Sequence, residues 1–174
     1  MTACKSYLIL KLSANGDKGR SLMLKVLFLC TENACRSQMA EGLVNHDLAG
    51  EAQAFSAGVR PSRVNPRAVQ VMAELGIDIR HQRSKPVADL AGERFDLVVT
   101  LCDQAQAQCP MFPGETEVMH AGFPDPAKAT GTEEEIMATF RQVREALRAK
   151  MIPLLREKAK GATLAKSGTP RGRI

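Results

Sequence analysis

The sequence predicts an α/β fold: a single domain with a central four-stranded parallel sheet and helices on both faces. Three observations carry this. The apolar runs "LKVLFLC" (Leu24 to Cys30) and "FDLVVTLC" (Phe95 to Cys102) are continuous rather than alternating, the pattern of strands covered on both faces. Strand-like and helix-like segments take turns along the chain, which favours parallel pairing through right-handed crossovers. With 174 residues, no internal repeat and no linker, the chain suits one core and not two.

Residues 1–22 read as an N-terminal extension expected to be flexible, and Met23, just before the first convincing strand, is a candidate start of translation. After Leu24 to Cys30 a helix should begin near Arg36 or Ser37, with Met39, Ala40, Leu43 and Val44 on one stripe. "AQAFSAG" is a second strand ended by Gly58. In "VNPRAVQVMAELG", Asn65 is the N-cap, Pro66 takes the first helical position and Gly76 stops the helix. The strand from Phe95 to Cys102 is the third, and a weak fourth covers Thr116 to His120. Thr132 and Glu135 form a capping box for a last long helix striped by Ile136, Phe140, Val143, Leu147, Met151 and Leu154. Pro153 is expected to kink or interrupt it. The domain is taken as 23–157, and 158–174 as a basic, disordered tail.

Composition excludes several function classes. The chain is 44% hydrophobic and 25% charged, with no apolar run near the ~18 residues of a membrane span. The N-terminus lacks a signal-peptide core, and five cysteines without an export signal point to reduced thiols in the cytoplasm. The net charge of +5 sits on the ends, with +3 in residues 1–22 and +5 in 156–174, which leaves −3 for the remainder. A nucleic-acid surface should be built into the fold, so solvated tails are the better reading and no nucleic-acid or membrane partner is expected. His46, His81 and His120 lack triad or metal-ligand spacing, and the cysteines miss zinc spacing, so no metal is expected.

The chemistry concentrates in "LCTENACRSQ", Leu29 to Gln38, where a cysteine stands six residues before an arginine between a buried strand and a helix. Such a loop turns backbone N–H groups toward one point at the positive end of a helix dipole. With the guanidinium fork of Arg36 it suits a tetrahedral oxyanion such as phosphate or arsenate, and the same field suits a thiolate nucleophile at Cys30. A cysteine and an arginine at this separation also recur by accident; the strand-to-helix setting favours the functional reading.

These residues, together with "FSAG", "VNPRAV", "DLVVTLC", "CPMFPG" and "GFPDPA", resemble the thioredoxin-coupled arsenate reductases built on the low-molecular-weight protein tyrosine phosphatase fold. The resemblance runs from about Leu24 to about Leu155. It implies that Cys30 is the nucleophile, that Arg36 grips the oxyanion, and that Ser37 donates to the sulfur of Cys30. The oxyanion would be bound by the loop of Thr31, Glu32, Asn33, Ala34, Cys35, Arg36 and Ser37, and Asp125 would be the general acid. It further implies that Cys102 attacks the arsenic adduct of Cys30, that Cys109 then takes over Cys102, and that thioredoxin supplies the electrons with no tightly bound cofactor. A monomer is expected. Cys35 is expected to be a packing residue and Cys4 to have no catalytic role.

Two alternatives remain open on sequence. A phosphatase needs only Cys30, Arg36 and Asp125, but Gln38 stands where the phosphatases usually have proline, and the thiol pair would be superfluous. A non-catalytic thiol sensor or metalloid-binding protein would leave Asp125 without a purpose. Within the resemblance, Glu32 and Ala34 replace a common glycine and serine, Pro124 a common aspartate, and Ala121 a common tryptophan. Some relatives bind potassium near the loop through positions that align with Asn33, Glu41 and Ser56 plus an aspartate. Lys85 holds the aspartate position, so its ammonium is expected to replace the cation.

Overall fold

The structure is a computed structural model and describes residues 23–90 and 92–167. The N-terminal extension and the last seven residues lie outside the described residues. Four strands, β1 (Leu24–Cys30), β2 (Ala52–Gly58), β3 (Leu97–Thr100) and β4 (Glu117–His120), form one sheet in the order β2-β1-β3-β4. All three pairings are parallel. The helices are α1 (Arg36–Asp47), α2 (Pro66–Ala73), α3 (Asp103–Ala107) and α4 (Glu133–Ser167).

The strand side chains sort by period two into two cores. Leu24, Val26 and Phe28 join Leu43, Met72, Phe140 and Leu147 in the main core. Leu27 and Leu29 point the other way and pack with Phe95, Val98 and Ala105. Among the described residues, that second face carries only the short α3, a 3-10 turn at Val87–Leu90 and loops. The expected layering on both faces therefore holds, with a thick side and a thin one.

The capping expectations hold in detail. Asn65 Oδ1 accepts the Arg67 N–H, Pro66 begins α2, and Gly76 takes a positive φ of 73° just after it. Thr132 Oγ1 accepts the Glu135 N–H, and the Glu135 carboxylate returns to the Thr132 N–H at 2.8 Å. Strand β3 is shorter than expected, ending at Thr100, and Cys102 is the N-cap residue of α3.

Two expectations about the last helix are corrected. Helix α4 runs unbroken through Pro153, because Met151, Ile152 and Leu155 on either side of it are buried in the main core and hold that turn. Nor does order end at residue 157. Ala159 is buried, the Lys158 ammonium meets both Glu117 carboxylate oxygens at 2.6 and 2.8 Å, and the helix continues to Ser167. The charge of this segment masked the apolar contact of a single alanine.

Candidate active site

Cys30 ends β1 and α1 begins at Arg36, so the loop between them lies at the carboxyl edge of the sheet, where parallel sheets bind ligands. Its carbonyls are all turned one way. Those of Cys30, Thr31, Glu32 and Ala34 accept N–H groups of Val59, Arg60, Ser62 and Asn65, at 3.2, 2.8, 3.0 and 2.9 Å. The Asn33 carbonyl accepts the Gln38 side-chain amide at 3.0 Å, and that of Cys35 accepts the Met39 N–H. In a trans peptide each carbonyl points opposite to the next N–H. Fixing these six carbonyls outward therefore turns the N–H groups of residues 31–36 inward, which is the arrangement of an anion cradle.

The Cys30 sulfur is buried and has two partners. The Asn33 N–H donates to it at 3.1 Å, and Ser37 Oγ lies 2.9 Å away. Ser37 Oγ in turn accepts Asn33 Nδ2–H at 2.9 Å, which leaves the hydroxyl proton for the sulfur. Asn33 is the hub of this region. It is fully buried at φ 50°, its Nδ2 also donates to Ser56 Oγ at 2.8 Å, and its Oδ1 accepts the Lys85 N–H at 2.9 Å. Gly58 leaves room for it, since a Cβ there would lie 2.9 Å from both the Asn33 nitrogen and the Thr31 carbonyl.

Arg36 is nearly buried; its guanidinium donates to the Phe123 carbonyl at 3.1 Å and to Asp125 Oδ2 at 3.0 Å. Asp125 also caps a 3-10 turn by accepting the Ala127 N–H through Oδ1. A cavity of about 530 Å³ opens over the loop, bordered by Cys30, Arg36, Arg60, Cys102, Asp125 and Lys128. The residues expected at the site thus converge, with one exception. Cys109 lies outside the cavity, packed half-buried against the second core with its thiol pKa raised by that burial.

Cys35 is buried and its thiol is pushed up to about 12, first by loss of hydration and then by the charges of Asp125 and Cys30. That disfavours its thiolate at neutral pH, which suits a packing residue. Glu32 is exposed and borders the cavity, and its carboxylate accepts Ser62 Oγ–H at 3.2 Å.

Asn33, Glu41, Ser56 and Lys85 are brought together as a hydrogen-bonded chain. The Ser56 hydroxyl donates to the Glu41 carboxylate, and the Lys85 ammonium stands 4.0 Å from the same oxygen. Burial raises the Glu41 pKa, against the opposing pull of Ser56 and Lys85. This set does not fit a potassium ion well, because the Asn33 oxygen is taken by a backbone N–H, its amide hydrogens face Ser56, and a cation already stands beside the carboxylate.

Sequence reasoning placed Thr31 in the loop but missed three sets of contacts. The Thr31 hydroxyl touches Cys102 Sγ at 3.3 Å and Gln104 Oε1 at 3.3 Å, tying the cradle to α3. Gln38, fully buried, fastens the loop to the Arg83 carbonyl as well as to Asn33. The segment 59–65 holds the loop carbonyls. These contacts join residues up to 73 positions apart, and no local spacing marks them.

The low molecular weight phosphotyrosine protein phosphatase family profile matches residues 25–167. An arsenate reductase of Halalkalibacterium halodurans is 50% identical over 120 residues, covering 69% of this chain and 86% of that relative. A solved arsenate reductase in the phosphate-binding state superposes with a TM-score of 0.58 at 31% identity, covering 78% of this chain and all but 2% of its own, since 98% of it is matched. A thioredoxin-dependent arsenate reductase of Corynebacterium glutamicum superposes with a TM-score of 0.61 at 26% identity, over 85% of this chain and 66% of that one. On the matched profile, the parallel sheet and the cysteine-arginine loop, the chain belongs to the low molecular weight phosphotyrosine protein phosphatase family.

Proposed function

We propose that the protein is a cytoplasmic arsenate reductase working through three thiols and regenerated by thioredoxin. The observation that carries this reading is the contact of Cys102 with the cradle's own Thr31, in the cavity that Cys30 floors. A phosphatase has no use for a second thiol there.

Arsenate enters the cradle and takes the Arg36 fork, which releases Asp125 from its ion pair. Cys30 attacks arsenic as the thiolate, its charge held by the Asn33 N–H and Ser37; Asp125, freed from Arg36, takes up a proton and passes it to one arsenate oxygen, which leaves as water. Cys102 then attacks the Cys30 sulfur. The S–As bond breaks, its electron pair goes to arsenic, and arsenite departs from a Cys30–Cys102 disulfide. Cys109 attacks Cys102, frees the Cys30 thiolate and leaves a Cys102–Cys109 disulfide for thioredoxin to reduce. Positions 102 and 109 span α3, about 10 Å along a helix axis, whereas a disulfide needs Cα atoms within about 7 Å. The helix must therefore unwind. The thin second face, where α3 buries only Ala105, is suited to that movement.

The test is arsenate-dependent NADPH consumption with thioredoxin and thioredoxin reductase, in wild type and Cys109→Ser. Turnover is expected in the first and a halt after one cycle in the second. Absence of arsenate-dependent turnover, with hydrolysis of an aryl phosphate in its place, would make the protein a phosphatase, the reading its cradle and Asp125 alone support. Sustained turnover in Cys109→Ser would remove the three-thiol relay.

A further inference from the structure

The first residue of helix α3, Asp103, meets a histidine that plays no part in the proposed thiol chemistry. His120 closes β4 beside Thr100, its register partner on β3. Its Nδ1 lies 3.0 Å from Thr100 Oγ1, and its Nε2 lies 3.4 Å from Oδ1 of Asp103, the residue that follows Cys102 and opens α3. Gly122 leaves space for the ring, since a Cβ there would stand 3.2 Å from Nε2. The contact is an ion pair when the imidazole carries its second proton.

The remaining restraints on α3 differ in kind. Thr31 touches the Cys102 sulfur and Gln104, Ala105 is buried in the second core, and the Gln106, Gln108 and Cys109 N–H groups bond to Cys102, Gln104 and Gln106 carbonyls at 3.0, 3.2 and 3.4 Å. The Thr31 contact to sulfur depends on where Cys102 Sγ lies, whereas the Thr31–Gln104 contact does not involve the sulfur. The Asp103–His120 contact likewise does not involve the sulfur, so forming the first disulfide does not by itself remove it.

We infer that Asp103 and His120 form a latch that keeps α3 folded and docked while Cys102 attacks, and that its opening sets the pace at which Cys109 reaches Cys102. Both are positioning residues. The inference rests on the relay proposed above, but the state of the helix is measurable without it.

Amide hydrogen exchange on the reduced, full chain is the first readout, on Asp103→Ala, His120→Ala and the double variant. Asp103 is exposed, so its loss disturbs no core. Exchange at Gln106, Gln108 and Cys109 is expected to rise about two- to fivefold in each single variant, the range an exposed pair supports. The double variant should match the singles, since either change opens the same contact. The second readout is rapid-quench alkylation after stoichiometric arsenate without reductant: the Cys102–Cys109 disulfide should form faster by the same factor, while formation of Cys30–Cys102, followed in Cys109→Ser, is not accelerated. Unchanged exchange in both singles, or effects that multiply in the double, would overturn the latch. Absence of any arsenate-dependent disulfide in wild type would overturn the relay and leave the exchange result to decide the latch by itself.

Discussion

Replacing Asn33 by alanine tests how the cradle is held together. The side chain is fully buried and makes three hydrogen bonds, to Ser37, Ser56 and the Lys85 N–H, at 2.9, 2.8 and 2.9 Å. At a net 0.5–1.5 kcal/mol each, these come to about 2–4 kcal/mol. The residue also sits at φ 50°, where asparagine is tolerated and alanine costs roughly 1 kcal/mol more. Asn33→Ala should therefore lose about 3–5 kcal/mol, or roughly 6–20 °C of melting temperature for a chain of this size. Asn33→Gly should recover up to about 1 kcal/mol, because glycine takes positive φ freely. Urea unfolding with linear extrapolation measures both. A loss below about 1 kcal/mol in Asn33→Ala, or a glycine variant less stable than the alanine one, would refute this account of the loop. Arsenate turnover should fall in both variants, since Ser37 loses the donor that orients its hydroxyl toward Cys30.

Exchanging sodium for potassium should leave turnover unchanged, because the Lys85 ammonium already stands beside Glu41; a several-fold rise would contradict this. Burial raises the Glu41 pKa above 4.5, so the native state holds the proton longer than the unfolded one and stability falls as pH rises from about 4.5 through the raised value. Glu41→Gln lacks this slope, and its urea midpoint should gain on wild type over that rise; a relative loss would reverse the sign of the argument. Cys35 should resist iodoacetamide at pH 8 in the folded protein, as its thiol titrates at about 12, and Cys35→Ala should keep arsenate turnover. Glu32→Gly should change the KM for arsenate by less than about twofold at physiological salt, since the exposed carboxylate is turned to Ser62 and screened.

The thiols illustrate how far local pattern reaches. Cys30 and Arg36 are six residues apart at a strand-to-helix junction, and that spacing alone determines that a sulfur and a guanidinium share the junction. The strands, the caps of α2 and α4 and the order of the elements were legible for the same reason, since period, capping and turn chemistry act over a few residues. The extent of α4 was not: Ala159 is held by the main core and Lys158 by Glu117, 41 positions away, and neither contact leaves a trace in the composition of the tail.

What only the tertiary structure decided is which groups meet. The loop's carbonyls are turned outward by residues 59–65, Cys102 is seated against Thr31 from 71 positions away, and Cys109 is kept outside the cavity by packing on the thin face of the sheet. Glu32, acidic within an anion loop, is engaged through its carboxylate by the Ser62 hydroxyl. By itself the sequence determined the fold class, the loop and the supply of thiols. Their arrangement follows from contacts between distant segments, which depend on how the layers pack and not on any spacing along the chain.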